Sequence, residues 1–96
     1  MIVSFGDAAT ADLYHHRRSA RVRRFPPPIR KAAIRKLDVL NAAVSLQDLA
    51  SPPGNRLEAL RGIFLGFFSI RVNDQWRVVF RWDSGEAREV RITDYH

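Results

Sequence analysis

The carboxyl-terminal third of the chain decides the fold. Residues 66–96 read GFFSIRVNDQWRVVFRWDSGEAREVRITDYH. Apolar and polar residues alternate through three segments, which are separated by short turns rich in Asn, Asp, Ser and Gly. Because successive side chains of a strand point to opposite faces of a sheet, this pattern predicts three consecutive antiparallel strands.

The alternation assigns these residues to two faces. One face is apolar and suits burial beneath a helix, and it comprises Phe68, Ile70, Val72, Trp76, Val78, Phe80, Trp82, Val90 and Ile92. The other carries Arg71, Arg77, Arg81 and Arg91, and also Tyr95 if no bulge intervenes. Such a face suits an anionic, stackable ligand such as RNA. The alternative is a solvated face whose arginines pair with Asp83, Glu86 and Glu89.

Residues 1–50 predict the helices that cover the sheet. A short strand at 1–5 precedes Asp7, which is predicted to cap a helix over about residues 8–18. A second, amphipathic helix begins after Pro26-Pro27-Pro28 and buries Ile29, Ala33, Leu37, Leu40 and Val44. Ser45 and Asp48 predict one further capped turn. The fold class is therefore α+β: a single domain, residues 1–96, with two N-terminal helices packed on a twisted, mainly antiparallel sheet.

Composition restricts the kinds of site that the chain can build. The sequence has 96 residues and no cysteine, so it offers neither a disulfide framework nor a thiolate metal site. His15 and His16 are adjacent and lack the spacing of a helical metal pair, so we expect surface residues and no metal. The longest apolar run, residues 63–70, is too short to span a membrane. No basic and apolar leader precedes the fold, so a cytoplasmic protein is expected.

Positive charge is concentrated before the sheet. The net charge is +6, with eleven basic and five acidic residues in 1–65 and five of each in 66–96. Clustered arginine favours a polyanion through counterion release, although such charge can also be a solvated surface. The residues predicted to contact RNA are Arg17, Arg18, Arg23 and Arg24, together with Arg71, Arg81 and Arg91 of the sheet.

Four segments together resemble the HigB-type toxins of the RelE superfamily, which are bacterial type II toxin–antitoxin proteins. The segments are residues 24–27 (RFPP), 52–60 (PPGNRLEAL), 69–82 (SIRVNDQWRVVFRW) and 94–96 (DYH). The resemblance covers nearly the whole chain. Each segment alone would be weak evidence, and their combination is specific.

The resemblance implies a function and a set of partners. It implies a metal-independent endoribonuclease without a cofactor that cleaves messenger RNA in the ribosomal 30S A site. It also implies a HigA-like antitoxin that neutralises the toxin, with operator DNA bound only through that antitoxin. No membrane partner is expected.

Candidate catalytic residues follow from the same resemblance. The terminal tripeptide matches the family's active site: His96 for proton transfer, Tyr95 for stacking or proton transfer, and Asp94 for orienting them. Arg61 and Arg77 match positions that contact phosphate. Glu58 stands where some members carry histidine, so it is either the general base or the salt-bridge partner of an arginine.

The segment Gly62-Ile63-Phe64-Leu65-Gly66 departs from the family, which usually places polar or charged residues between these glycines. The turn contacts the antitoxin or a second copy of the chain, was engineered to create an interface, or folds inward. We expect an interface formed by Ile63, Phe64, Leu65 and Phe67, because exposed apolar patches mark partner surfaces. This turn leaves a second function open: a binding module with weak or absent catalysis that acts in complex formation, operon control or self-association through residues 62–68.

Overall fold

A four-stranded antiparallel sheet forms the centre of the molecule. The computed structural model describes residues 1–94; Tyr95 and His96 lie outside the described residues. The strands are β1 (Glu58–Ala59), β2 (Phe67–Arg71), β3 (Trp76–Asp83) and β4 (Glu86–Asp94), in the spatial order β1-β2-β3-β4. The three consecutive strands predicted from the alternation are confirmed, and so is the α+β class.

Three α-helices precede the sheet in the chain: α1 (Ala8–Tyr14), α2 (Pro27–Ala42) and α3 (Leu46–Leu49). Asp7 caps α1, since its Oδ1 accepts a hydrogen bond of 2.8 Å from the Thr10 amide. The helix ends at Tyr14 rather than near residue 18, because His16 adopts a left-handed backbone with φ of 57°. Short 3-10 turns lie at Ala20–Arg24, Pro53–Asn55 and Gly62–Phe64. No helix in residues 1–94 combines the length and the apolarity needed to cross a bilayer.

The stripe predicted for α2 is correct except at its end. Ile29, Ala33, Leu37 and Leu40 are buried, whereas Val44 is 79% exposed. The helix ends at Ala42, so the helical spacing does not extend to Val44. Ala43 is buried instead, in the place that the spacing predicted for Val44. The predicted capping box at Ser45 and Asp48 is confirmed at the start of α3.

The first residues form two isolated parallel bridges to β4 rather than the predicted regular strand. Ile2 pairs with Ala87 and Phe5 pairs with Val90. The Val3 amide donates to the Ala87 carbonyl at 2.9 Å, and the Gly6 amide donates to Val90 at 2.8 Å. The amino terminus therefore covers the edge of β4 that would otherwise present unpaired backbone groups.

A β-bulge interrupts β4. Val79 pairs with Arg91 while Arg81 pairs with Arg88, so Glu89 and Val90 lie opposite the single residue Phe80. Glu89 adopts a φ of 52°. The bulge lets Ala87 and Val90 both point into the core despite their odd spacing, and it keeps Arg91 on the arginine-bearing face.

The sheet is buried on both faces, to different extents. The main core lies between the helices and the predicted apolar face, although Phe68 and Trp82 are only partly buried. A second, small core lies on the opposite face and consists of Leu60, Phe67 and Val79, with Phe64 packed against it. The arginine-bearing face is therefore not uniformly solvated.

Candidate active site

Arg77 is held rigidly on the arginine-bearing face. Its side chain is only 12% exposed, and its Nη1 lies 3.3 Å from Glu58 Oε1. Its Nη2 donates a 2.6 Å hydrogen bond to the Arg56 carbonyl. Two contacts from the segment around β1 thus orient one guanidinium of β3. Because the Glu58 side chain is 50% exposed, a substrate could reach the carboxylate while it holds Arg77.

Asp94 is the last described residue of β4 and lies opposite Trp76, next to the pair formed by Arg77 and Thr93. Its Oδ2 accepts a 3.0 Å hydrogen bond from Gln75 Nε2. By register, Asp94 shares a face with Trp76, whereas Arg77 and Thr93 share the other. The structure thus brings Arg77 and Glu58 together, and it places Asp94 at the same end of the sheet on the opposite face. The predictions for Tyr95 and His96 lie outside the described residues.

A cleft at this end of the sheet was not predicted from the sequence. It has a volume of about 410 Å³ and is lined by Asp7, Arg24, Trp76, Ile92, Thr93 and Asp94. Arg24 Nη2 pairs with Asp7 Oδ2 at 2.9 Å. Asp7 was recognisable only as a helix cap, and nothing in the sequence relates residues 7 and 24 to residue 94. The cleft adds a cation from the N-terminal region to the strand end that carries Asp94.

Arg61 is exposed and precedes the 3-10 turn at Gly62–Phe64. It takes part in no ion pair within the part of the chain that the structure describes. Gly62 and Gly66 have φ angles of 65° and 93°, which glycine adopts without strain and which fold the turn back onto the sheet. The backbone therefore leaves the Arg61 guanidinium available to solvent.

Arg81 and Arg91 lie above Phe67. The Arg81 guanidinium is 4.5 Å from the centre of that ring, and the Arg91 guanidinium is 5.7 Å from it. The bulge residue Glu89 pairs with both, at 2.8 Å from Arg81 and 3.8 Å from Arg91. Arg71 pairs with Asp74. The arginine-bearing face is confirmed. Within residues 1–94 its arginines pair chiefly with Glu58, Asp74 and Glu89, and of the predicted partners only Glu89 is among them. Glu86 pairs with Arg88, and Asp83 accepts a hydrogen bond from Ser84.

The residues predicted to form an interface divide into two groups. Ile63 and Leu65 are 94% and 73% exposed. Phe67 is buried, and Phe64 packs edge-on against it with ring centres 5.7 Å apart. The prediction that Phe67 presents a partner surface is therefore wrong, because this ring forms the small core beneath Arg81 and Arg91. The aromatic residues fold inward while the two aliphatic residues point outward.

The N-terminal arginines also divide into two groups. Arg17 pairs with Asp12 at 3.4 Å, and Arg24 pairs with Asp7. Arg18 and Arg23 are exposed and form no ion pair within residues 1–94. In the same described range, no three His, Cys, Asp or Glu side chains gather as a metal site.

Comparison with known proteins identifies the family of this chain. Residues 3–96 match the family model described as the RelE-like toxin of the type II toxin–antitoxin system HigB. The chain is 42% identical to Toxin HigB-1 of Vibrio cholerae serotype O1 over 87 residues, which cover 91% of this chain and 90% of that protein. It is also 36% identical to an uncharacterized protein of Haemophilus influenzae over 69 residues, covering 72% and 68% of the two chains.

Solved structures agree on the fold. Two structures of the YoeB-YefM complex from Staphylococcus aureus, one of them a heterotetrameric toxin–antitoxin complex, superpose with a TM-score of 0.59. Each match covers 100% of this chain and 95% of the other, at 16% and 18% identity, so the likeness concerns the fold alone. The family model spans nearly the whole chain and the Vibrio relative is closely similar in sequence. The chain therefore belongs to the HigB-like toxins, the RelE-like toxins of type II toxin–antitoxin systems.

Proposed function

We propose that this toxin is a ribosome-dependent endoribonuclease that cleaves messenger RNA in the 30S A site and so inhibits translation. The observation that carries the proposal is the fixed Arg77 guanidinium beside the half-exposed Glu58, at the end of the sheet where β4 reaches Asp94. A fixed cation that is partly exposed beside a half-exposed carboxylate can contact a phosphate. The sequence continues from Asp94 directly into Tyr95 and His96.

The proposed reaction breaks one phosphodiester bond. A base removes the proton of a ribose 2′-OH, and that oxygen attacks the adjacent phosphorus. The bond to the 5′-oxygen breaks, and an acid supplies the proton to this leaving group, giving a 2′,3′-cyclic phosphate and a free 5′-OH. Arg77 and Arg61 would stabilise the charge on the phosphorane. Tyr95 and His96 are the proposed proton-transfer groups, and Asp94 is a positioning residue.

A HigA-like antitoxin is the proposed partner. The solved structures of the same fold are toxin–antitoxin complexes, which supports a comparable partner here. Operator DNA would be bound only through that antitoxin. The site of action would be the cytoplasm, where ribosomes translate the message.

Separate Tyr95→Ala and His96→Ala variants test the proposal. Each should reduce ribosome-dependent cleavage by about 10²- to 10⁴-fold, the range expected for loss of a general acid or base. Arg88→Ala is the matched control, because Arg88 pairs with Glu86 away from the proposed site. If both variants cleave as fast as this control, the assignment of these two residues is wrong.

One observation favours a second function, a binding module with weak or no catalysis. Ile63 and Leu65 present apolar side chains to solvent in a turn of the toxin. Expression without an antitoxin separates the two functions. Rapid growth arrest with mRNA cut inside translated frames would support the enzyme, and normal growth with soluble protein would support the module.

A further inference from the structure

A second groove lies away from the candidate active site. It has a volume of about 480 Å³, and the residues that line it are Arg17, Arg18, Ser19, Ala20, Val22, Arg23 and Arg30. Residues 17–36 contain nine Arg or Lys and no Asp or Glu. Four of the seven lining residues are arginines, so the groove has a strongly positive potential.

Partly buried hydrogen bonds and ion pairs give the groove a fixed shape. Asp12 is buried, and its carboxylate accepts a 2.8 Å hydrogen bond from Ser19 Oγ. The same carboxylate pairs with Arg17 at 3.4 Å and with Arg21 at 3.3 Å. On the other wall, Arg30 Nε donates a 2.8 Å hydrogen bond to the Phe25 carbonyl. These contacts fix the 3-10 turn at Ala20–Arg24 between α1 and α2.

The remaining positive charge is available to a ligand. Asp12 partners Arg17 and Arg21, whereas Arg18 and Arg23 are exposed and have no ion-pair partner within residues 1–94. Guanidinium groups present planar, forked donors that fit phosphate oxygens. The apolar part of the lining is limited to Ala20 and the half-buried Val22, together with the side-chain stems of the arginines. That composition suits a nucleic acid better than a protein partner, whose interface core needs apolar anchors.

The groove and the cleft that contains Asp94 are lined by consecutive residues of the chain. Arg23 lines the groove, and the next residue, Arg24, lines the cleft. We propose that the groove is an anchoring site for the phosphodiester backbone of RNA, separate from the place where the RNA is cut. This inference rests on the proposed function, because it takes RNA as the ligand.

An anchoring site affects binding rather than the chemical step. Loss of the groove should raise the KM for cleavage and leave the rate constant at saturation unchanged, since its arginines do not touch the reacting atoms. Loss of the groove should also weaken the dependence of RNA affinity on salt concentration. For a single strand, each neutralised phosphate contributes a slope of about 0.7 in log affinity against log salt. Removing two arginines should therefore flatten the slope by roughly 1.4.

The test compares two double variants of the full chain. Arg18→Ala/Arg23→Ala removes two charges from the groove. Lys31→Ala/Arg35→Ala removes two exposed charges from α2 that do not line the groove, so it is the matched control. Affinity is measured for two probes: a single-stranded RNA with 2′-O-methyl riboses, which cannot be cleaved by 2′-OH attack, and vacant ribosomes.

The groove variant should lose about tenfold or more in affinity relative to the control with at least one probe. A loss with the single strand identifies messenger RNA as the ligand, and a loss with vacant ribosomes alone identifies ribosomal RNA. If the groove variant and the control bind both probes equally, the inference is wrong. It is also wrong if the groove variant loses affinity for the antitoxin instead of for RNA.

His96→Ala separates this inference from the proposed function, because it should slow cleavage by about 10²- to 10⁴-fold without changing affinity for either probe. A wild-type chain that binds RNA through the groove but cuts no message would overturn the proposed function alone. A chain that cleaves with the same KM in the groove variant and the control would overturn the anchoring site alone.

Discussion

At the scale of single residues, Arg77 and Glu58 form the part of the site with the firmest geometry. The guanidinium is largely buried and is bonded to one carboxylate and one carbonyl. A buried cation that loses its partner is costly, so Glu58 has a physical role whether or not it also accepts a proton. The sequence allowed either role for Glu58, because a lone carboxylate in a short strand does not reveal its partner.

Glu58→Gln distinguishes the two roles. The glutamine retains an acceptor oxygen for Arg77 Nη1, so we expect single-turnover cleavage to stay within about tenfold of wild type, whereas loss of a general base costs about 10²- to 10⁴-fold. The pH profile of cleavage should keep its shape. A decrease of two decades or more, with loss of the acidic limb of that profile, would instead identify Glu58 as the base.

Asp12 provides a second prediction at this scale. The Ser19 hydroxyl, followed by the Arg21 and Arg17 guanidiniums, holds the pKa of Asp12 below its usual value of 3.8 despite the opposing effect of burial. A carboxyl whose pKa is lowered by folding stabilises the native state above its unfolded pKa. That stabilisation is lost as the pH falls through the lower, folded value.

Asp12→Asn should therefore be less stable than wild type at pH 7, and the difference should shrink as the pH falls below about 4. Urea denaturation at pH 7, 5 and 3 measures it. Asp83→Asn is the control, since this exposed carboxylate only bonds to the adjacent Ser84 within residues 1–94. A difference that grows on acidification would show that the Asp12 carboxylate does not stabilise the fold.

At the scale of elements, the sequence predicted the helices and strands that have a periodic pattern. It did not predict the contacts between distant segments. Strands β2, β3 and β4 and the stripe of α2 followed from alternation and from helical spacing, because burial on one face selects apolar residues at that period. The bulge at Glu89, the parallel bridges of Ile2 and Phe5, and the early end of α1 at His16 leave no periodic signal. Each depends on backbone angles or on pairing with residues more than eighty positions away.

Thr10 joins two such distant elements. Its side chain is fully buried in α1, and its Oγ1 accepts a 3.0 Å hydrogen bond from the Ile92 amide of β4. This hydrogen bond fixes α1 next to the end of β4 that carries Asp94.

Thr10→Val replaces the hydroxyl by a methyl group of similar size and leaves the Ile92 amide without its acceptor. We expect a loss of about 1–3 kcal/mol in the free energy of unfolding, the usual cost of a buried unsatisfied donor. Thr10→Ser keeps the acceptor and removes one methyl group, so it should lose roughly 0.8 kcal/mol. Denaturant titration of both variants measures these values, and a Thr10→Val chain as stable as wild type would show that the bond contributes nothing.

At the scale of the whole molecule, the apolar turn borders the arginine-bearing face, because Phe64 packs against the Phe67 ring beneath Arg81 and Arg91. The sequence located the positive charge correctly, since composition by segment requires no folding information. It could not show that Phe67 supports arginines instead of a partner, because strand parity places a residue on a face but does not reveal what covers that face. Leu60 and Phe64 come from outside the strands and cover this part of the sheet.

Ile63 and Leu65 remain the exposed apolar residues of that turn, and they are predicted to contact the antitoxin or a second copy of the chain. Ile63→Asp/Leu65→Lys should leave the melting temperature unchanged, because both side chains already face solvent. It should weaken partner binding or self-association by tenfold or more, since the few hot-spot residues near the centre of an interface each cost over about 1 kcal/mol when truncated. Val44→Asp is the matched control, an apolar side chain 79% exposed near the end of α2. Titration against the antitoxin and sedimentation of the free chain measure the two effects. If the double variant matches Val44→Asp in both affinity and oligomeric mass, the exposed turn is not an interface. The partly buried Phe64 and the buried Phe67 then account for the apolar character of the segment.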